Sequence, residues 1–510
     1  MTNAIPDQTI QTIRTSRTKM GLEILATGLV LGVLGDALLR AMPWGLNVTL
    51  CAVALTTAAV LLVRRHGITP GPDAPWLGLT VVLLGAAFMR RDSEALAQFN
   101  VIAMIIALAL GAASVHGARL TAMRPLEYLR DGIMAAGGTI AGSVMLVGHD
   151  IDWREVPQEG RFRHVRAVGL GVLLAAPLLV AFGALFSAAD SVFSNVIQNV
   201  FAFDIANAAS HMILIGVWAA ITAGYLRWSL IARPAALPAP AAASATGIVP
   251  VATALGLINL MFLLFVVVQL RYFFGGSGLV EATTGLTYAQ YARSGFFQLL
   301  AASGLVLPVL MGADHLVRGE TAAHLTTFRR LASLLLVLLA VVMASALQRM
   351  RLYVGAFGLS EDRLYATAFM VLLVGILAWF AWTVLRGRRG SLAFGVLIQG
   401  FAVLAGLHML NPDAFIVRTN LHRVERPFDA KYALLLGADA VPPLLEALPN
   451  LDEPSRCAIA STLTKRWAPR PGAAPDWRTW NWSRSRARRL VAERADVLRA
   501  VTCSSTARTP

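Results

Sequence analysis

Arginine and tyrosine recur together in the second half of this chain, in short polar segments that separate long apolar runs. Guanidinium groups offer planar, paired donors to a phosphate or carboxylate, and a tyrosine ring offers a flat wall with a hydroxyl. The pattern therefore predicts a binding site for a small anion or an anionic lipid headgroup. The five segments are 269–272, 287–293, 349–353, 361–365 and 411–420.

The candidate binding residues come from these segments. A second interpretation stays open, because tyrosine is common at the membrane interface and arginine near the end of a span extends towards the headgroups. The acidic residues beside the arginines would then be local ion pairs. The candidates are Arg271, Tyr272, Tyr288, Tyr291, Arg293, Arg351, Tyr353, Glu361, Asp362, Arg363, Tyr365, Asn411, Asp413 and Arg418.

The elements that must position these residues are apolar stretches between Gly21 and Leu410. About eleven stretches occur, most of them roughly 18–22 residues long, which matches a hydrocarbon thickness of roughly 30 Å. The chain is 56% hydrophobic and only 14% charged. The sequence therefore predicts an all-α, polytopic transmembrane helical bundle of about eleven spans, with ten to twelve allowed, followed by a small α-helical C-terminal tail domain.

The chain divides into seven regions on this basis. The tail has too small a core to be stable alone, so we expect it to pack on the membrane part or on lipid. The regions are an N-terminal segment (1–20), a first transmembrane group of about four spans (21–115), a polar loop (116–166), a middle pair of spans with an amphipathic helix at 190–201 (167–228), an Ala/Pro-rich linker (229–248), a last group of about five spans (249–410) and the extramembrane tail (411–510).

Basic residues in the loops predict the orientation. With eleven crossings, most arginine-rich loops lie on the same side as the N-terminus, which is then cytoplasmic, and the tail lies outside. Four arginines are exceptions, because they fall on the outer side: Arg90, Arg91, Arg349 and Arg351. The polar segments of the last five spans then converge on the outer face. The 116–166 loop contains a small, Gly-rich stretch, Met134–Val147, which is either a surface or re-entrant element or a further crossing.

Two of the three cysteines, Cys457 and Cys503, lie in the tail. A cysteine pair in a small domain on an oxidising side is typical of a disulfide. Two unrelated buried thiols are the alternative.

Several classes of function lack support in the sequence. No phosphate-binding loop, dinucleotide fingerprint or zinc-ligand motif occurs, and no His cluster has the spacing of a metal site. The net charge of +15 comes without a basic soluble module, so we expect an association with anionic lipid rather than nucleic acid. We predict no cofactor and no metal.

The segment 287–297, Thr-Tyr-Ala-Gln-Tyr-Ala-Arg-Ser-Gly-Phe-Phe, resembles the TYAEYARRGFFE signature of a bacterial polytopic inner-membrane family known only as a domain of unknown function. Segments 185–193, 351–353, 411–413 and 438–442 are similar to other segments of that family, and the resemblance covers roughly 167–500. Gln290 and Ser294 replace the acidic and basic residues of the signature. The resemblance implies a multi-pass protein of the bacterial inner membrane and assigns no reaction.

Three functions fit these features. The first is a binding or regulatory membrane protein whose polar outer site contacts anionic lipid headgroups, with an unidentified protein partner. The second is a transporter of a small or amphipathic anion, and the third is an enzyme acting on a lipid-linked substrate with Glu361, Asp362 or Asp413 as base. A transporter would require charged residues deep within spans, and this chain has few of them. The enzyme is weakly supported as well, because the adjacent residues Glu361 and Asp362 point in different directions on a helix. We therefore favour the first and expect no enzymatic activity.

Overall fold

The computed structural model describes residues 7–154, 205–232, 247–274, 296–317, 321–387, 389–423, 427–469 and 475–501, with a few single positions between 175 and 190. Within these ranges every regular element is a helix and no strand occurs. The helices are α1 (Asp7–Leu39), α2 (Leu46–Arg65), α3 (Ala74–Arg90), α4 (Glu94–Val115), α5 (Pro125–Met145), α6 (Ile205–Leu230), α7 (Ile248–Phe274), α8 (Phe296–Leu316), α9 (Ala322–Phe357), α10 (Glu361–Thr383), α11 (Leu392–Leu410), α12 (Pro412–Leu421), α13 (Ala430–Ala433), α14 (Val441–Ala447), α15 (Glu453–Trp467), α16 (Trp482–Glu493) and α17 (Ala495–Ala500).

Ten of the described helices are long and apolar enough to cross a bilayer. Nine of them coincide with predicted spans, so the prediction of an all-α, multi-pass membrane protein is confirmed. The predicted short span 76–89 is α3, which has 17 residues. The predicted span 167–185 and the amphipathic helix 190–201 lie almost wholly outside the described residues, and the tenth candidate is α5.

Apart from α5, the long helices run between two ends of the bundle. We call the end that carries residues 40–45, 91–93, 358–360 and 411 the tail end. The other end, with residues 66–73, 116–124, 384–387 and 389–391, is the opposite end. Close packing of α1 on α6 depends on small residues, because a Cβ at Gly32 would lie 2.7 Å from the Ile215 carbonyl oxygen.

Helix α5 begins and ends at the opposite end. Near its start, the Tyr128 hydroxyl donates to the Leu120 carbonyl over 2.8 Å. Five further residues, Leu146–Asp150, extend α5 as a π turn, and Asp150 there pairs with Arg17 over 2.5 Å and with Arg227. The region predicted as a polar loop, 116–166, thus contains a long helix. Since both its termini lie at one end of the bundle, α5 has the placement of the surface or re-entrant element, not of a further crossing.

The tail packs against the tail end, as expected for a domain with so small a core. Leu444 and Leu463 of the tail belong to the same buried cluster as Leu364 of α10 and Ile416 of α12. Hydrophobic burial therefore continues from the spans into the tail without a break, which stabilises both.

The tail helices follow the sequence prediction closely. The sequence of the tail predicts three helices, at 440–448, 452–465 and 476–500. The first two correspond to α14 and α15, while the third is divided. A 3₁₀ turn, Trp477–Thr479, precedes α16, and Arg494 separates α16 from α17 with φ of −104°.

The structure describes two of the three cysteines. Cys457 in α15 is disulfide-bonded, whereas Cys51 in α2 is a free thiol. Cys503 lies outside the described residues, so its pairing with Cys457 stays a prediction.

Candidate functional site

The tail is fixed to the bundle by a buried carboxylate, Asp439, in the 3₁₀ turn before α14. Its side chain accepts hydrogen bonds from Arg91 Nη1 and from the Asp92 backbone N–H, each over 3.0 Å. The Ser483 hydroxyl lies 2.7 Å from the same carboxylate. Only 6% of Asp439 is exposed. Charge-assisted bonds of this kind are the stronger class, and here they join the α3–α4 loop to the tail.

A second ion pair crosses the same contact, with its carboxylate on the bundle and its arginine on the tail. Arg484 of α16 donates to the Asp92 carboxylate over 2.8 Å, and its other terminal nitrogen donates to the Trp44 and Thr479 carbonyls, each over 2.8 Å. Asp92 also accepts the Ala438 N–H over 3.1 Å. Burial lowers the pKa of Arg484, and the Asp92 charge opposes that shift. We call this set, Arg91, Asp92, Asp439, Ser483 and Arg484, the seam.

The end of α3 receives its missing hydrogen bonds from the tail. The last carbonyls of a helix have no partner within the helix. The Asn481 side chain donates to the Phe88 and Arg91 carbonyls over 2.8 and 2.9 Å, and its oxygen accepts the Arg484 N–H at the start of α16. One asparagine therefore satisfies the ends of two helices.

Asp413 at the start of α12 is the most buried of the predicted candidates whose side chains are described, with 1% exposed. One carboxylate oxygen accepts the Gly437 N–H over 3.0 Å, and the other has no hydrogen-bond partner among the described residues. Burial raises the pKa of Asp413 to about 7, and the nearby carboxylates Glu361, Asp439 and Asp92 add to the rise. The docked tail covers this carboxyl.

Residue 437 must be glycine for the tail to approach this closely. A Cβ there would lie 1.8 Å from the Asp92 carbonyl oxygen and 2.7 Å from the Asp413 carboxylate. The backbone at Gly437 therefore packs directly against both Asp92 of the seam and Asp413.

Several other predicted residues take part in local structure at the tail end. The Glu361 N–H donates to the Tyr432 hydroxyl over 2.9 Å. The Arg363 guanidinium lies 4.1 Å from the centre of the Tyr353 ring and donates to the Gly358 carbonyl. The Tyr365 hydroxyl lies 3.2 Å from Ser93 Oγ. These groups hold loops together rather than line an open pocket.

The remaining candidates are distributed differently. Arg351 and Asp362 are exposed and make no hydrogen bond or ion pair with a described residue. The side chains of Arg271, Tyr272, Tyr288, Tyr291 and Arg293 lie outside the described residues.

An open cationic cleft does occur between the bundle and the tail, beside the seam. Its walls include the predicted residues Asn411 and Arg418, together with Arg91, Trp482 and Arg486. Arg418 and Arg486 are exposed, and neither makes an ion pair with a described residue. Asp439 also contributes to the wall, but Arg91 neutralises it. The cleft encloses about 50 Å³, which is space for a few waters or one small anionic group.

Sequence reasoning missed the seam, although one signal pointed to it. Arg91 is an exception to the charge rule for outer loops, and its unexpected charge is balanced by Asp439, 348 residues later. Among the described residues, no group of three or more His, Cys, Asp or Glu side chains could hold a metal ion.

These features define a multi-pass helical membrane protein whose C-terminal helical domain is fixed to one end of the bundle by buried ion pairs. A family model described as a domain of unknown function, DUF4153, matches residues 78–447. The match includes well over half of the chain, which therefore belongs to that family. The resemblance drawn from the sequence is confirmed, although the match begins earlier, at 78, and ends at 447. No curated protein and no solved structure matches the chain.

Proposed function

We propose that the protein is a regulatory binding protein of the bacterial inner membrane, and that its ligand is a phosphate-bearing anion held in the cleft beside the seam. The observation that carries this proposal is the pair of exposed arginines, Arg418 and Arg486, that face the same cleft without an acidic partner among the described residues. Arginine presents two parallel donors to one phosphate, and two arginines leave the cleft with excess positive charge.

The position of the cleft supports a regulatory role. Arg418 lies on α12, the first helix of the tail and the one next to the spans, while Arg486 lies on α16. An anion that bridges them adds an attraction between α12 and α16, and it stabilises the docked arrangement by mass action. Since Arg91 and Asp439 belong to both cleft and seam, occupancy of the cleft is coupled to docking.

Binding is tested by titrating the purified protein in maltoside detergent and measuring heat release. Inorganic phosphate and dihexanoyl phosphatidylglycerol are the two probes, so that a free anion is distinguished from a lipid headgroup. Arg418→Gln and Arg486→Gln should each weaken binding by about tenfold to a hundredfold, since a charge-assisted hydrogen bond contributes about 1.5–3 kcal/mol.

The matched control is Arg489→Gln, an exposed arginine on the same helix that does not line the cleft. It should bind like the wild-type protein. Equal affinity in all three variants, or no heat from either probe, would reject the cleft as the binding site.

We further propose that the N-terminus is cytoplasmic and the tail extracytoplasmic. The opposite end carries many basic loop residues, among them Arg64, Arg65, Arg119, Arg124 and Arg386, which favours the cytoplasm for that end. At the tail end, Arg91 remains an exception to this rule, and in the folded protein it pairs with Asp439. The disulfide at Cys457 also favours an oxidising compartment for the tail.

This orientation predicts how Cys503 reacts in intact cells. We expect a membrane-impermeant maleimide to label Cys503 only after mild reduction, because the thiol is bonded and on the outside. The double variant Cys457→Ser/Cys503→Ser is the control for labelling elsewhere, because Cys503→Ser alone would free the Cys457 thiol. Labelling that requires cell lysis in both redox states would place the tail in the cytoplasm.

A further inference from the structure

An elongated apolar groove runs between the first and last groups of helices, away from the cleft and the seam. Helices α4, α8, α10 and α11 form its walls, and α5 contributes at one end. The groove has a volume of about 570 Å³, which is within the 300–1,000 Å³ range of small-molecule sites. Apart from two tyrosines, Tyr128 and Tyr365, the lining side chains are aliphatic, phenylalanine or methionine, with one glycine and one proline.

The two tyrosines mark the ends of the groove. Tyr365 lies at the tail end, and its hydroxyl shares a hydrogen bond with the Ser93 hydroxyl. Tyr128 lies at the opposite end, and its hydroxyl donates to the Leu120 carbonyl. Along α11, the lining extends from Leu392 to Leu407, a distance of about 22 Å at 1.5 Å per residue. The groove thus follows most of the hydrocarbon thickness.

The groove is continuous with the lipid-facing surface of the bundle. Ile102, Ile106 and Phe369 line it and remain 54%, 42% and 48% exposed. Those side chains also belong to the outer surface of candidate spans, which lipid covers. An occupant can therefore enter sideways from the bilayer, and it must be apolar along its whole length.

The shape and lining of the groove favour a lipid chain as its occupant. The lining is apolar along its length apart from the two tyrosines, and it is open to the bilayer at Ile102, Ile106 and Phe369. A narrow apolar site about 22 Å long suits an extended hydrocarbon chain.

We propose that this groove is a binding site for one long acyl chain of a bilayer phospholipid. The site joins the two groups of helices, because α4 forms one wall and α8, α10 and α11 form the others. It is independent of the anion cleft, since the two share no lining residue.

Gly400 of α11 provides the variant that tests the site. It lines the groove, and a Cβ there would meet no atom within 4 Å, so a larger side chain fits by filling the groove. Gly406 on the same helix is equally open but is not part of the lining. Gly400→Phe and Gly406→Phe are therefore a matched pair.

The full-length protein would be reconstituted in vesicles of phosphatidylethanolamine and phosphatidylglycerol that contain phosphatidylglycerol with a diazirine in its acyl chain. After irradiation, the cross-linked peptides are quantified by mass spectrometry. We expect wild-type cross-links to concentrate on α10 and α11, a loss of at least fivefold in Gly400→Phe, and no change in Gly406→Phe.

Three results would overturn the proposal. They are equal cross-linking in both glycine variants, cross-links spread evenly over the spans, or capture of a diazirine-bearing polyprenyl phosphate by these peptides in place of the acyl probe. If Gly400→Phe does not fold, Ala368→Leu fills the groove from the α10 wall and serves the same comparison.

Discussion

The docked tail is expected to lose stability as the pH rises from about 4 to 7, and Asp413→Asn should remove most of that loss. The folded pKa of Asp413 is about 7, against an ordinary value of 3.8. Between these values the folded state binds more protons than the unfolded state, so the unfolding free energy falls with pH. A rise in pKa of about three corresponds to about 4 kcal/mol, all of it lost above pH 7.

Thermal melting of the purified protein at pH 5 and pH 8 measures this effect. In Asp413→Asn the amide oxygen can still accept the Gly437 N–H, so the variant keeps the native contact and loses the charge. Asp496→Asn is the control, because its carboxyl is 97% exposed. Glu361, Asp92 and Asp439 surround Asp413 and are retained in both variants. An unchanged pH slope in Asp413→Asn would show that another group causes it.

Replacing Asp439, the central carboxylate of the seam, should destabilise the docked tail nearly as much as the rise in pH does. Asp439→Ala removes the acceptor of Arg91, of the Asp92 N–H and of Ser483, and the Arg91 side chain is only 13% exposed. Arg91 keeps its bonds to the His408 carbonyl, so we expect a loss of about 3 kcal/mol, at the lower end for a broken buried pair. Limited proteolysis of the tail should accelerate by about a hundredfold.

Two comparisons make this result specific. Asp439→Asn keeps one acceptor oxygen without the charge and should lose about half as much. Asp496→Ala breaks the exposed pair with Arg499 and should change proteolysis little, since such pairs contribute roughly 0–1 kcal/mol. If Asp439→Ala resists proteolysis as well as Asp496→Ala does, the seam does not hold the tail.

The spans were predictable because apolar length is a local property of the sequence. Helices such as α4 and α9 carry their signal in consecutive residues, and no distant partner is needed to interpret it. The convergence of Glu361, Asn411 and Asp413 at one end followed from counting crossings. Helix α5 was harder, because its composition suits either a crossing or a surface helix, and only contacts such as Asp150 with Arg17 decide between them.

The seam could not be predicted, because its partners are far apart along the chain. Nothing near Arg91 indicates that Asp439 neutralises it, and nothing near Asp92 indicates Arg484. The Arg/Tyr segments illustrate the converse: their pattern suits an anion pocket, and among the described residues Arg363 and Tyr353 contact each other. Of the predicted residues whose side chains the structure describes, Asn411 and Arg418 line the open cleft.

The distance between the partners of the seam has a consequence for how the molecule is made. Ribosomal synthesis delivers the α3–α4 loop early and the tail last, after every intervening helix has left the ribosome. Until then Arg91 and Asp92 have no partners from the tail. The tail can therefore dock only when the first and last helices have reached their final places. A chain truncated before Asp439 cannot form the seam.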